Sequence, residues 1–240
     1  MGRHLAAAVL AMVMLLVCAG PGTCEGAARP GSRNAAEDLL LIVDFQNVYL
    51  PGSYWSCPGM PDAMRNTLAV LSAPNAPDYL MTAFIAPEEP EGRWALYNEE
   101  YSGINGDAFL SEFAEEIRPY ATDGHMVFKS VYSSMECEEV QAAMEGKKAV
   151  VLTGVVAECC VLATLMDAID MGYEVVYLYD GIAGTSEKDE QMILRLAGYF
   201  APVHVDGDEL RGIHRGNFRR RRGSVKRAAE RFPGPMKHVI

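Results

Sequence analysis

From Leu39 onward two patterns alternate along the chain. Short runs of consecutive apolar or β-branched residues end at turn-forming or charged positions, and between them lie stretches of helical length with apolar residues three and four apart. The runs are LLLIVD ending at Asp44, DYLMTAFI ending at Ile85, HMVFK ending at Lys129, AVVLTG ending at Gly154, EVVYLYD ending at Asp180 and PVHVD ending at Asp206. Helical spacing covers 61–72, 107–119, 136–146, 159–172 and 187–200, with Pro61 suited to a first helical turn. Strands that are apolar on both faces need cover on both faces. The pattern therefore predicts an α/β fold, a three-layer αβα sandwich around a six-stranded parallel Rossmann-like sheet. Residues 86–106, APEEPEGRWALYNEEYSGING, show neither pattern and read as a long loop carrying Trp94, Tyr97 and Tyr101. Such a loop is either a wall over a binding site or an ordinary surface or dimer contact.

The ends differ from this body. Residues 1–19 have a basic start, an apolar stretch and a Val-Cys-Ala step, and read as an export signal peptide; an upstream extension of a cytoplasmic protein is the alternative. Residues 20–37 read as linker, 38–211 as one domain, and 212–240 as a basic disordered tail whose partner the sequence does not name. The chain holds 21 Lys and Arg against 32 Asp and Glu, yet residues 211–240 carry 10 of the basic residues and 1 of the acidic ones. An acidic body repels phosphate backbones, so no nucleic-acid binding is expected of the domain. The six cysteines, Cys18, Cys24, Cys57, Cys137, Cys159 and Cys160, show no CxxC pair, and of five histidines only His125 and His204 fall inside the domain. A metal centre is hard to assemble from these, and neither a metal nor another cofactor is expected.

In an open parallel sheet, ligands bind outside the carboxyl ends of the strands. Asp44 closes the first run, Lys129 the third, and the fourth leads into Cys159 and Cys160 at a helix start. A thiol at a helix N-terminus beside a lysine is favoured as thiolate, and a carboxylate within reach accepts its proton. Each residue also has a plain reading: a turn aspartate, a solvated lysine, a packed cysteine. Their convergence at strand ends favours the chemical one. Histidine, the commoner base, is expected to lie elsewhere, since His125 starts its strand and His204 lies inside one.

The stretches LLLIVDFQNVYL, VFKSVYSSM, LTGVVAECCVLATLMDAIDMGYEVV and DGIAGTS resemble the isochorismatase-like cysteine hydrolases, which include nicotinamidases, N-carbamoylsarcosine amidase and ureidoacrylate amidohydrolases. The resemblance spans about Leu39 to Leu210. It implies Cys160 as nucleophile with Cys159 as a packing neighbour, Asp44 as base and Lys129 as the charge that stabilises the pair. It also implies a cis peptide between Val155 and Val156, with the amides of Val156 and Cys160 as oxyanion hole. The implied reaction is metal-independent hydrolysis of a C–N bond in a small carboxamide, carbamoyl or ureido compound through a thioester. Nicotinamidases carry an Asp-x-His metal motif after the second strand, where this chain reads MTAFIAPEEPEG; true isochorismatases, which cleave a vinyl ether, commonly lack the cysteine. The alternatives are that ether-cleaving activity, or a non-catalytic binding module on the same scaffold. Asn47 stands where an acidic residue is usual, with Asp44 and Gln46 kept. Gln46, Trp55, Trp94 and Tyr132 are candidate pocket residues, a small molecule is the expected partner, and the family implies a homo-oligomer.

Overall fold

The computed structural model describes residues 35–200 and 203–205, so the expected export signal, most of the linker and the basic tail lie outside the described residues. Six strands form: β1 (Asp38–Val43), β2 (Asp78–Phe84), β3 (Met126–Lys129), β4 (Ala149–Gly154), β5 (Glu174–Ile182) and β6 (Val203–Val205). They build one parallel sheet in the order β3-β2-β1-β4-β5-β6. Each strand lies where the apolar runs place it, within two residues at either end.

The continuous apolar runs follow from burial on both faces. Every residue of β1 and β4 is buried. Leu40 and Ile42 join Val151, Val176 and Leu178 on one face, while Leu39, Leu41 and Val43 join Val150, Leu152 and Val175 on the other. Each such side chain contributes about 1.5–3 kcal/mol when buried. The helices are α1 (Met60–Leu71), α2 (Arg93–Glu100), α3 (Ser102–Asn105), α4 (Ala108–Ser111), α5 (Glu138–Met144), α6 (Leu162–Asp170) and α7 (Glu187–Phe200). Helix α1 covers the first face with Met60, Ala63, Met64 and Val70. The second is covered by Val140 and Met144 of α5, Leu165 and Ala168 of α6, and Ile193 and Ala197 of α7.

Two stretches depart from the pattern. The predicted helix over 107–119 stops at Ser111, although Phe109, Leu110, Phe113, Ala114 and Ile117 have helical spacing. Glu112 is extended (φ −69°, ψ 153°), and Phe113 bridges antiparallel to Gln46. The Asn47 N–H donates to Glu112 O at 2.9 Å and the Ala114 N–H to Phe45 O at 2.9 Å. These long-range bonds satisfy backbone groups that a helix would otherwise pair. Conversely, the expected loop 86–106 contains α2 and α3, neither of which has a buried residue.

From β1 the chain winds outward through β2 and β3, then crosses back to place β4 on the other side of β1. The carboxyl ends of β1 and β4 therefore flank the crevice where the winding reverses. Gly154 closes β4 there with φ +119°, and a Cβ would fall 2.0 Å from Val43 O. Only glycine fits both the dihedral and the space. Gly154→Ala is expected to destabilise the fold by more than about 3 kcal/mol, read as the urea midpoint; an unchanged midpoint would contradict this packing.

Candidate active site

Asp44 follows β1 with φ 53°, a left-handed conformation that aspartate tolerates better than most side chains. Its N–H donates to Thr82 O at 3.0 Å and its carbonyl accepts from the Gln46 N–H at 2.7 Å, so the turn is held by backbone on both sides. The carboxylate meets Lys129, the last residue of β3, with Nζ 2.7 Å from Oδ2 and both side chains at 0% exposure. Lys129 also donates to Val131 O at 3.1 Å and lies 5.7 Å from the centre of the Phe84 ring. Cys160, 3% exposed, is within hydrogen-bonding reach of both Asp44 and Lys129. The structure thus brings together the three residues singled out at strand ends.

Three buried hydroxyls that sequence reasoning passed over connect this group. Thr82 Oγ1 donates to Asp44 Oδ1 at 2.8 Å and lies 3.2 Å from Ser134 Oγ. Because the Thr82 proton is committed to Asp44, Ser134 is the donor in that second contact. The Ser134 N–H in turn donates to Thr164 Oγ1 at 2.9 Å, and Thr164 Oγ1 donates to the Cys160 carbonyl at 2.7 Å. All three residues are fully buried. A polar residue inside the apolar run of β2 was the visible signal for Thr82. Ser134 and Thr164 stand within the VFKSVYSSM and CVLAT stretches.

The turn that carries Cys160 is not an ordinary helix start. Ala157–Val161 form one π-type turn before α6 begins at Leu162, and the Val155–Val156 peptide is cis. This wider turn presents Cys160 inward and leaves Cys159 exposed, which corrects the expectation that Cys159 is a packing residue. The expectation of a favoured thiolate is also corrected. Burial pushes the Cys160 thiol well above its usual range, and the Asp44 carboxylate adds to this, together outweighing Lys129. For Lys129, burial works against the ammonium, but Asp44 and Cys160 outweigh it and its pKa is raised. The resting site is therefore a neutral thiol beside a carboxylate–ammonium pair.

Gln46 is 1% exposed, and its amide serves the backbone: it donates to Phe84 O at 3.0 Å and Ser111 O at 2.7 Å and accepts from the Phe84 N–H at 2.9 Å. It clamps β2 to the last residue of α4. Trp55, Trp94 and Tyr132 belong to one aromatic group with Tyr97: Trp94 lies 4.9 Å from Tyr132 and 5.4 Å from Tyr97, and Trp55 lies 6.0 Å from Tyr97. Burial pushes the Tyr97 phenol up, and the neighbouring Tyr132 adds to this. Tyr49 was not foreseen: it is buried and its phenol is raised by burial, then by Cys160 and Asp44. His125 precedes β3, stacks on Tyr79 at 4.2 Å and takes no part in the site. Among the described residues no three His, Cys, Asp or Glu side chains gather to hold a metal ion.

The sequence profile of the isochorismatase domain matches residues 38–204. The chain is 34% identical over 122 residues to nicotinamidase 3 of Arabidopsis thaliana, covering 47% of this chain and 61% of that relative. The cysteine hydrolase from Pseudomonas syringae pv. phaseolicola superposes with a TM-score of 0.65 at 18% identity over 78% of this chain and 98% of its own. N-carbamoylsarcosine amidase from Thermoplasma acidophilum superposes with a TM-score of 0.56 at 22% identity over 71% of this chain and 96% of its own.

Two outcomes follow from the geometry. Thr82→Val leaves Asp44 Oδ1 without its donor, so the urea midpoint is expected to fall by about 1–3 kcal/mol, whereas Thr82→Ser keeps the donor and most of the stability. The unfolded chain releases the Cys160 proton near the ordinary value of 9.0, while the folded chain keeps it to a higher pH. Stability from this group is whole below pH 9 and is lost as pH rises through the folded value. Cys160→Ala is expected to flatten the fall in stability above pH 9 by about one proton's worth, read as midpoint against pH.

Proposed function

This chain belongs to the isochorismatase family, whose members include amide hydrolases, and from that premise we propose that it is a metal-independent cysteine amidohydrolase acting on a small carboxamide, carbamoyl or ureido compound. The observation that carries the reading is the buried Asp44–Lys129 pair with Cys160 against both of its members.

Because the resting thiol is neutral, the proton leaves as the bond forms. Asp44 accepts it, Lys129 compensates the charge, and Cys160 Sγ bonds to the carbonyl carbon to give a tetrahedral intermediate. The oxygen of that intermediate needs donors. The amides of Val155, Ala157, Cys159 and Val161 are committed to the carbonyls of Val43, Ala183, Val156 and Val156 respectively. That narrows the choice within residues 155–161 to Val156, Glu158 and Cys160, in keeping with Val156 and Cys160 as the oxyanion hole. Collapse breaks the C–N bond as Asp44 returns the proton to the departing nitrogen, releasing ammonia or an amine. Water, deprotonated by Asp44, then cleaves the thioester and the thiol recovers its proton.

Metal independence is read from the stretch MTAFIAPEEPEG, which runs out of β2 and carries no histidine. Trp55, Trp94, Tyr97 and Tyr132 form a wall suited to a flat, uncharged body attached to the amide. The name of the plant relative points to an aromatic carboxamide, and that of the archaeal structure to a carbamoyl group.

The test is ammonia release from a panel of aromatic and aliphatic amides, carbamoyl compounds and ureides, with and without chelator. Release is expected to persist with chelator and in Cys159→Ala, and to fall at least about 10³-fold in Cys160→Ala and Asp44→Ala. Loss of activity with chelator would overturn metal independence. An absence of turnover across the panel, with Cys160 no more reactive to alkylation than a free thiol, would favour the binding-module reading.

A further inference from the structure

The turn that carries Cys160 is tied to the rest of the molecule by a residue that the reaction above does not use. Glu158, two positions before the nucleophile, reaches the loop between β5 and α7. Its Oε1 accepts the Thr185 N–H at 3.0 Å and also the Thr185 hydroxyl. The other side chains of the turn, Ala157, Cys159, Cys160 and Val161, offer no comparable anchor: two are aliphatic, one thiol is exposed, and the other is the nucleophile. The main chain adds one tie on the same side, from the Ala157 N–H to Ala183 O at 2.9 Å.

The loop is shaped around this carboxylate. Gly184 is buried and lacks a positive φ, so its backbone conformation does not demand glycine. Space does. A Cβ at 184 would lie 2.5 Å from Glu158 Oε2 and 3.2 Å from Glu190 Cγ. The Gly184 N–H is already committed to Glu190 Oε1 at 3.0 Å. Glu158 Oε2 is meanwhile buried without a hydrogen-bond partner among the described residues. A buried acceptor left unpaired beside a second carboxylate is unfavourable, and its persistence calls for a reason other than stability.

We propose that Glu158 is a positioning residue, which pins the Ala157–Val161 turn to Thr185 and thereby sets Cys160 Sγ against Asp44 and Lys129. The proposal rests on Cys160 being the nucleophile. A displacement of the order of 1 Å at a reacting atom is enough to lower a rate about 10²-fold, so the effect falls on the chemical step rather than on binding.

The experiment compares Glu158→Ala, Glu158→Gln, Gly184→Ala and the Glu158→Ala/Gly184→Ala double variant, all in a Cys159→Ala background. It measures kcat and KM for ammonia release, the alkylation rate of Cys160 by iodoacetamide, and Tm. Glu158→Ala is expected to lower kcat by about 10–100-fold with KM changed less than about twofold, and to slow alkylation in parallel. Glu158→Gln keeps an oxygen for Thr185 and is expected to recover to within about threefold of the parent. Gly184→Ala displaces the carboxylate without deleting it, so it should reproduce the Glu158→Ala defect and add nothing to it in the double variant. Unchanged kcat and alkylation in Glu158→Ala, a defect that follows Tm and that glutamine does not rescue, or losses that multiply in the double variant would each overturn the proposal. Alkylation needs no substrate. If no amide is turned over but the alkylation pattern holds, the amidohydrolase reading fails and the positioning role stands.

Discussion

The contact between Lys129 and Asp44 is the constraint around which the site is arranged. Two opposite charges 2.7 Å apart, both fully withdrawn from water, carry a desolvation penalty of several kcal/mol per ion, and their attraction offsets it only with good geometry and further hydrogen bonds. Those bonds are present. Thr82 serves Asp44 Oδ1, the Val131 carbonyl serves Lys129, and the Phe84 ring lies beside the ammonium. Removing either partner would leave the other as an uncompensated buried charge, so the pair is a costly arrangement for packing and a suitable one for moving a proton.

Cys160 is governed by the same low-dielectric surroundings. Burial and Asp44 together hold the Cys160 thiol well above its usual range against the pull of Lys129, so the proposed reaction relies on proton transfer to Asp44 and not on a standing thiolate. Position therefore matters more here than intrinsic acidity. The hydrogen-bond chain through Thr82, Ser134 and Thr164 joins the carboxylate of Asp44 to the carbonyl of Cys160, holding the two residues from one side. The Glu158–Thr185 contact holds the turn from the other.

The aromatic group is of a different kind. Helices α2 and α3 contribute no buried residue, and α2 meets the domain through ring contacts such as Trp94 with Tyr132 and Tyr97 with Trp55. Ring contacts of this sort are worth about 0.5–1.5 kcal/mol each beyond the area they bury. The proposed chemistry thus sits on buried strand ends, and the proposed recognition on helices without a buried residue.

The sequence by itself determined the sheet and its reactive residues. Strands buried on both faces must be uninterrupted apolar runs, and a charged residue closing such a run must lie at the mouth of the sheet, so β1 to β6, Asp44 and Lys129 were legible, while Cys160 was singled out only by the family resemblance. Gly154 was visible as a run's end, although not as a close approach to Val43. What only the tertiary structure decided depends on partners far apart in the chain. The apolar spacing of 107–119 is helical, yet Phe45 and Asn47 take its backbone groups and extend it. Cys159 and Cys160 are equivalent in any local pattern, and the π-type turn separates them into an exposed and a buried thiol. Thr82, Ser134 and Thr164 become a chain, and Glu158 an anchor for its turn, only when strands and loops many residues apart bring their hydrogen-bonding groups within 3 Å or so. Local periodicity reports which face of an element is buried; it carries no information about which polar groups meet there.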